Sequence, residues 1–205
     1  MSSRKYASVL FILLMVLPSC VRADDFEHLR KDAARISTIS AGFVQKKIMK
    51  ILSKPLVSEG KFYFAAPDSI RWEYQKPVKS LVISNQGKTM RYIVSRGKWM
   101  EDRTGGVQAM KIVLNEVAGW MRGKFDSNPS FTAAVKEGAN MQIILTPVDK
   151  SMAGMIEKIE ITVSRKDLSV KSVRIIENAS AETRIDFHSV VVNHTIDPSV
   201  FQDVP

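Results

Sequence analysis

The 205-residue sequence contains a single cysteine, Cys20, and only three histidines, at positions 28, 188 and 194. So few thiol and imidazole groups leave no CxxC pair, no HExxH helix and no close set of histidines and carboxylates that would hold a metal. A GxSxG turn and a glycine-rich phosphate loop are also missing. We therefore expect no cofactor and no metal, and the sequence favours a binding protein over an enzyme.

The first 23 residues lack the length of a membrane span. Arg4 and Lys5 precede an apolar run of about a dozen residues, which is too short to cross a bilayer and typical of a secretory signal. We therefore assign 1–23 to a signal peptide and 24–205 to one folded domain, since no linker, repeat or low-complexity segment divides the rest.

Two processing sites compete at the end of this signal. Cleavage after Ala23, in Val-Arg-Ala, would leave Asp24 as the new N-terminus. The preceding Leu-Pro-Ser-Cys resembles a lipobox, which would instead place an acyl anchor on Cys20. Pro18 is unusual in a lipobox, so cleavage after Ala23 is the favoured interpretation. A chain cleaved there contains no disulfide, and its stability must come from its core.

The formal net charge of the chain is +9, but its basic residues are scattered and form no dense run. This distribution argues against a nucleic-acid partner. An excess of basic residues favours contact with acidic membrane surfaces or acidic proteins. Scattered surface charge explains the excess equally well.

Strand alternation dominates the remainder of the chain. In the stretch PDSIRWEYQKP, Ile70, Trp72 and Tyr74 share one face of a strand, while Arg71 and Glu73 share the other. We interpret Glu73 as a solvated neighbour of Arg71 and not as a general acid. The aromatic face belongs either to a sealed core or to a ligand cavity.

The same alternation predicts ten strands, with Asn85-Gln86-Gly87-Lys88 as a hairpin turn. The predicted strands are 41–50, 60–66, 69–75, 79–85, 89–95, 132–136, 141–146, 156–164, 170–177 and 183–192. With a helix before the first strands and another before the second set, this order predicts an α+β fold with one large antiparallel sheet and helices on one face.

Apolar residues recur at helical spacing in two segments. Asp24 and Asp25 are predicted to cap the first helix, whose apolar residues are Phe26, Leu29, Ala33 and Ile36. The second helix follows the Gly105-Gly106 pair and ends near Gly123. Its apolar face consists of Val107, Met110, Leu114, Val117, Ala118 and Met121. Methionine adapts to irregular neighbours, so this face indicates either ordinary core filling or a deformable apolar cavity.

A series of short motifs resembles the periplasmic lipoprotein carrier family, LolA. They are, in chain order, ISAGFVQ at 39–45, EGKFYF at 59–64, PD at 67–68 followed by RWEY at 71–74 and Pro77, NQGK at 85–88, LTP at 145–147, and the segment 193–201 with the closing Pro205. No single motif is specific, but their shared order extends over 37–205. The resemblance implies an incomplete antiparallel β-barrel, a strongly curved sheet with helices that lid a hydrophobic cavity.

The family resemblance also implies a function. Such a protein binds the acyl chains of lipoproteins and carries them through the periplasm. Its expected partners are acylated lipoproteins, an inner-membrane ABC-type release complex and an outer-membrane lipoprotein receptor, and we expect it to act as a monomer. We expect the acyl chains to contact Phe43, Phe62, Phe64, Trp72, Met110, Leu114 and Met121.

The sequence departs from the family pattern at one position and leaves two other functions open. Many carriers have a basic residue before the proline that ends the second strand, but Ala66 stands here, so a lid latch that relies on this residue would be missing. Acylation of Cys20 would make the chain an anchored receptor of the LolB type, which shares the fold. A lipid-sensing regulatory binding protein is a third interpretation of the same scaffold.

Overall fold

The structure is a computed structural model that describes residues 23–102, 114, 116–148, 150–202 and 204. Within these residues the chain forms eleven strands in one antiparallel sheet, with short helices beside it. The strands are β1 Thr38–Met49, β2 Leu56–Ala65, β3 Ser69–Lys76, β4 Ser80–Asn85, β5 Lys88–Ser95, β6 Lys98–Glu101, β7 Phe131–Lys136, β8 Met141–Pro147, β9 Lys158–Val163, β10 Val170–Asn178 and β11 Ala181–Val192.

The sheet consists of two meanders joined at their first and last strands. Its order is β6-β5-β4-β3-β2-β1-β11-β10-β9-β8-β7, and the long strands β1 and β11 pair from Ile39 opposite Val192 to Met49 opposite Ala181. β6 and β7 lie at opposite edges, so the sheet is not closed. The incomplete antiparallel barrel predicted from the sequence is therefore confirmed.

Tight hairpins connect the strands, as the turn residues predict. In the β4–β5 turn, Gln86 and Gly87 both have positive φ angles of 50° and 75°, which a two-residue turn of the primed type requires. The predicted strand positions agree with the structure within a few residues, except that β6 was not predicted. Its four residues, Lys-Trp-Met-Glu, are too few to show a clear alternation.

Alternation along the strands places one set of side chains on the inner face of the sheet, which the helices cover. Phe43 of β1, Phe62 and Phe64 of β2 and Ile70 of β3 are fully buried there. In the second meander, Ile143, Ile161 and other aliphatic residues continue the same core. The common face predicted for Ile70, Trp72 and Tyr74 of β3 is thus confirmed, because burial of a single face sets strand parity.

Two helices pack against this inner face. α1 spans Ala23–Ala33 and contributes Phe26 and Leu29 to the core. Asp24 and Asp25 lie within its first turn, so the prediction that they cap the start of this helix is not confirmed.

The second helix, α2, is described at residues 114 and 116–121, and its predicted beginning lies outside the described residues. The helix ends as predicted: Gly123 has a φ angle of +70°, and a Cβ at this position would lie 2.6 Å from the Leu29 carbonyl oxygen of α1. A third short helix, α3, spans Lys150–Ala153 and was not predicted. Among the described residues, no helix is long and apolar enough to cross a membrane.

The outer face of the sheet has a second, smaller core, which the sequence analysis did not anticipate. Leu81 and Ile83 of β4 are fully buried there, and the 3-10 helix Pro198–Phe201 packs on β3 and β4. The helices are therefore not confined to one face. The C-terminal segment covers apolar side chains that would otherwise be exposed on the outer side of β4.

Arg71 joins this outer core to the C-terminal segment. Its guanidinium is buried and donates to the Glu73 carboxylate at 2.8 and 3.0 Å and to the Val200 carbonyl at 3.1 Å. The interpretation of Glu73 as a solvated neighbour was wrong, because its side chain is only 17% exposed. A buried guanidinium requires such partners, since an uncompensated charge there would be strongly destabilising.

Candidate functional site

A cavity of about 300 Å³ lies between the inner face of the sheet and α2. Its walls are aliphatic and aromatic side chains with few polar groups. The lining residues are Gln45, Trp72, Tyr74, Val82, Leu114, Val117, Trp120, Met121, Val173, Ile175, Thr183, Ile185 and Phe187. A cavity of this composition suits an apolar ligand, because water gains few hydrogen bonds inside it.

A cluster of aromatic rings supports one wall of this cavity, and Trp72 and Phe187 of this cluster line it. The Trp72 ring centroid lies 5.1 Å from that of Phe43, 5.3 Å from that of Phe62 and 6.1 Å from that of Phe187. The ring planes are tilted or edge-to-face, which is the favourable geometry for aromatic pairs. These rings lie on β1, β2, β3 and β11, so the register of the central strands positions them.

One hydrogen bond supplies most of the polarity of the wall. The Tyr74 hydroxyl donates to Gln45 Oε1 at 2.9 Å across the inner face. Burial raises the pKa of the Tyr74 phenol above its ordinary value. The phenol therefore remains neutral, and the cavity wall carries no charge at this point.

One indole N–H group in the cavity wall has no acceptor in the part of the chain that the structure describes. Nε1 of Trp120 is buried there without a hydrogen-bond partner. An unsatisfied buried donor costs about 1–3 kcal/mol. Displacement of α2, which carries Trp120, would let water or a ligand satisfy that donor. The cost of burying this donor therefore reduces the free energy gained when α2 packs on the sheet.

A charged pair adjoins the cavity lining at Thr183. Beyond Gln45 and Thr183, the Lys47 ammonium contacts the Glu177 carboxylate. The Thr183 hydroxyl donates to the same carboxylate at 3.0 Å. Lys47 and Glu177 lie near the C-terminal ends of β1 and β10. This end of the cavity is therefore close to the end of the barrel at which these two strands terminate.

Two polar contacts hold the region of α2 in place. Arg30 of α1 donates to both oxygens of Asp126, in the loop after α2, at 2.7 and 2.9 Å. Within the same region, the Asn128 amide donates to Glu116 Oε1 at 2.9 Å. Burial raises the pKa of Glu116, and the bond from Asn128 opposes this shift without cancelling it.

The structure brings together most of the residues predicted to contact acyl chains. Trp72, Leu114 and Met121 line the cavity. Phe43, Phe62 and Phe64 are fully buried on the same face and lie beside it, outside its lining. Phe62 and Phe64 share one face of β2, as residues two apart in a strand do. Met110 lies outside the described residues.

Several lining residues were not among those predicted to contact acyl chains. Trp120 lies one helical turn after Val117, and Tyr74 and Phe187 share the parity of Trp72 and Ile185. Helical spacing and strand parity were the signals that could have identified them. Strand parity also places Gln45 with Phe43 and Thr183 with Ile185, but polar side chains were not expected to contact acyl chains.

Ala66, which replaces the basic residue found in many carriers, is exposed in the β2–β3 connection. It has no part in the cavity wall. In this protein, a bidentate ion pair between Arg30 and Asp126 joins α1 to the loop after α2.

A second depression lies on the outer face, along β1 and β2. The His188 side chain covers Gly42 there, and the walls include Glu59, Lys61 and Tyr63. Its lining mixes polar residues with Ala41, Phe43 and Val44. Among the described residues, no group of three or more histidine, cysteine or acidic side chains could hold a metal ion.

An unclosed antiparallel barrel that encloses an apolar cavity beneath a helical lid defines a class of carrier-like folds. The chain belongs to the LolA family within this class, since the family described as "Outer membrane lipoprotein carrier protein LolA" matches residues 34–203. The matched range begins after α1 and includes all eleven strands.

Similar proteins carry the corresponding name. The outer-membrane lipoprotein carrier proteins of Salmonella paratyphi A and Salmonella typhimurium are each 24% identical over 207 residues, which cover 98% of this chain and 94% of theirs. The chain is thus similar to these carriers along nearly its whole length.

Solved structures support the fold alone. An uncharacterised conserved protein from Thermus thermophilus matches with a TM-score of 0.56 at 7% identity, over 89% of this chain and 94% of that one. The Pseudomonas aeruginosa MucA/MucB complex matches with a TM-score of 0.50 at 13% identity, over 88% of this chain and 60% of that one.

Proposed function

We propose that this protein is a periplasmic carrier of acylated lipoproteins, which it takes from an inner-membrane ABC-type release complex and delivers to an outer-membrane receptor. The observation that carries this proposal is the apolar cavity of about 300 Å³ beneath α2. Membership of the LolA family supports the same function. The proposed ligand is therefore one or more fatty acyl chains on a protein.

The size of the cavity implies that the lid moves when cargo binds. A volume of about 300 Å³ lies at the lower end of the range for ligand pockets. A triacylated lipoprotein offers about 45 methylenes, and each buried methylene contributes roughly 0.8 kcal/mol. Displacement of α2 from the sheet would enlarge the site, since Leu114, Val117 and Met121 fill the space above the aromatic wall.

Release of the cargo sets an upper limit on the strength of binding. Complete burial of about 45 methylenes would amount to roughly 35 kcal/mol. This exceeds the practical ceiling of about 20 kcal/mol for noncovalent complexes. We therefore propose that burial is partial and that the free energy of lid displacement offsets part of the gain. Each change of about 1.4 kcal/mol in the binding free energy of the carrier then changes the equilibrium constant for transfer to the next partner tenfold.

Site-specific photo-crosslinking in living cells tests the cavity assignment. A photoreactive residue at Leu114 or Trp72 is expected to crosslink labelled lipoproteins, because both side chains line the cavity. The same residue at Gln86, in an exposed turn, is the matched control and should give no such product. Crosslinks from neither cavity position would refute the carrier proposal.

A core without a ligand site predicts a different pattern. In that case Leu114→Ala would only destabilise the fold, by about 2–5 kcal/mol, and purified protein would bind no acylated peptide. Measuring the unfolding free energy and acyl-peptide binding on the same variants separates the two interpretations.

A further inference from the structure

Five connections meet at one end of the barrel, which we call the hairpin rim. The antiparallel pairings place there β1–β2 (50–55), β3–β4 (77–79), β5–β6 (96–97), β8–β9 (148–157) and β10–β11 (179–180). The opposite rim contains the β4–β5 turn and the start of β1. The hairpin rim is therefore a continuous edge made from both meanders.

The β1–β2 hairpin extends beyond its neighbours on this rim. On one side its last pair with β11 is Met49 opposite Ala181, and on the other its last pair with β3 is Glu59 opposite Lys76. The residues from 50 to 57 are all exposed. The tip thus projects from the barrel.

The tip and its neighbours expose large apolar side chains. Ile51 is 88% exposed and Val78 is 69% exposed, and Leu52, Leu56, Val57, Val148 and Met155 are also exposed. All of these residues lie at the hairpin rim, whereas the exposed Met100 lies within β6 and the exposed Val191 lies toward the opposite end. A concentration of exposed apolar residues at one edge marks an interaction surface.

The charge of the tip has one sign. Residues 46–57 read KKIMKILSKPLV, with four lysines and no acidic residue. Lys47 pairs with Glu177, whereas Lys46, Lys50 and Lys54 are exposed. Lys79 and Arg96 add exposed basic groups to the neighbouring connections. The surface therefore combines protruding aliphatic side chains with cations.

The cavity lies toward the same rim. Gln45 lines the cavity, and β1 continues from it for four residues to Met49, where the tip of the β1–β2 hairpin begins. The group formed by Lys47, Glu177 and Thr183 separates the cavity from the rim. An acyl chain that left the cavity at this end would emerge beside the tip.

We propose that the hairpin rim docks on the surface of an anionic lipid bilayer. Ile51 and Leu52 enter the headgroup region, Lys50 and Lys54 contact lipid phosphates, and the cavity end at Lys47 faces the membrane. A projecting aliphatic tip flanked by lysines fits a membrane interface, where apolar insertion and attraction to anionic lipids act together. The docking rests on these surface residues, and only its use in delivering acyl chains rests on the proposed function.

Fluorescence of a single label tests the docking. In a Cys20→Ser background, which excludes an acyl anchor, Ser53→Cys or Gln86→Cys carries a nitrobenzoxadiazole group. With vesicles of equal parts phosphatidylglycerol and phosphatidylcholine, the emission maximum of the label at position 53 is expected to shift to shorter wavelength. Doxyl lipids in the same vesicles are expected to quench its fluorescence. The label at position 86, on the opposite rim, is expected to show neither change.

Variants separate the apolar contribution from the electrostatic one. Ile51→Asp with Leu52→Asp is expected to weaken vesicle binding by at least about tenfold. The matched control, Gln86→Asp with Val191→Asp, adds the same charge away from the rim and should retain most of the binding. Lys50→Gln and Lys54→Gln are each expected to weaken binding about fivefold on anionic vesicles and to reduce its dependence on salt.

The outcomes distinguish the docking from the carrier function. If the label at position 53 shows no change with anionic vesicles, or if both labels respond equally, the docking is refuted, and a protein partner becomes the occupant to test. Binding of an acylated peptide in solution, without vesicles, is measured on the same variants. Rim variants that bind this peptide normally but not the vesicles support the docking, whereas an unmodified protein that binds vesicles but no peptide refutes the carrier function alone.

Discussion

Gly60 lies where the Phe43 ring and the backbone of β3 leave no room for a side chain on β2. A Cβ at this position would lie 2.0 Å from the Glu73 carbonyl oxygen and 2.6 Å from Cζ of Phe43. A Cβ at Gly42 would also be close to a neighbour, 2.2 Å from Cε1 of His188. The His188 side chain is exposed and can rotate away, but the Glu73 backbone cannot. The two glycines therefore differ in what a methyl group would displace.

We expect Gly60→Ala to destabilise the fold by about 1–3 kcal/mol or more, because the buried ring and the paired strand must both move. Gly42→Ala is the matched control, and we expect it to cost clearly less, since only His188 must move. Urea unfolding of both variants measures the difference. Equal losses of stability would show that the approach of Phe43 to β2 does not limit this position.

At the scale of elements, α2 is the helix over the cavity whose packing on the sheet also buries polar groups. Its apolar side chains pack on the cavity, but it also buries the Trp120 N–H, which has no acceptor among the described residues, and partly buries the Glu116 carboxyl. Burial raises the pKa of Glu116, so its protonated form is favoured when α2 is packed on the sheet. A displaced helix returns this carboxyl to water and to its ordinary pKa.

The direction of this shift predicts a dependence of uptake on pH. The packed lid is most stable below the ordinary pKa of glutamate and loses stability as the pH rises through the elevated pKa of Glu116. We therefore expect cargo uptake to become faster as mildly acidic solutions approach neutrality. Glu116→Gln should weaken this dependence, whereas Glu59→Gln, on the sheet, should not. Stopped-flow fluorescence with a labelled acyl peptide measures the rate of uptake at each pH. An unchanged pH dependence of this rate in Glu116→Gln would contradict the role of this carboxyl.

At the scale of the whole molecule, the processing of the N-terminus decides whether the carrier diffuses. We propose that cleavage follows Ala23 and that residues 24–205 form one domain, which is free in the periplasm. Docking of the hairpin rim would then be reversible, because it lacks a covalent anchor. Acylation of Cys20 would instead hold the same barrel at a membrane.

The intact mass of the protein, purified from its own cells, distinguishes these states. We expect a mass that begins at Asp24, with no lipid adduct. A diacylglyceryl or triacyl adduct on Cys20 would overturn the diffusible carrier and make the protein an anchored receptor. Cys20→Ser is the control, since it should leave the expected mass of the cleaved chain unchanged.

The sequence by itself determined the local structure and the family of this protein. Strand parity in β1, β3 and β9, the turn at Gln86-Gly87 and the end of α2 at Gly123 follow from short-range stereochemistry. Phe62 and Phe64 could likewise be assigned to one face, because residues two apart along a strand always share a side.

Only the tertiary structure decided what each face contacts. The burial of Arg71 beneath Val200 and the separation of Phe62 and Phe64 from the cavity lining depend on contacts between distant segments. The hairpin rim also emerged only from the registers of both meanders, since its connections are far apart in the chain. Periodicity specifies a direction for each side chain, but the long-range pairing of strands decides whether it points to core, cavity or solvent.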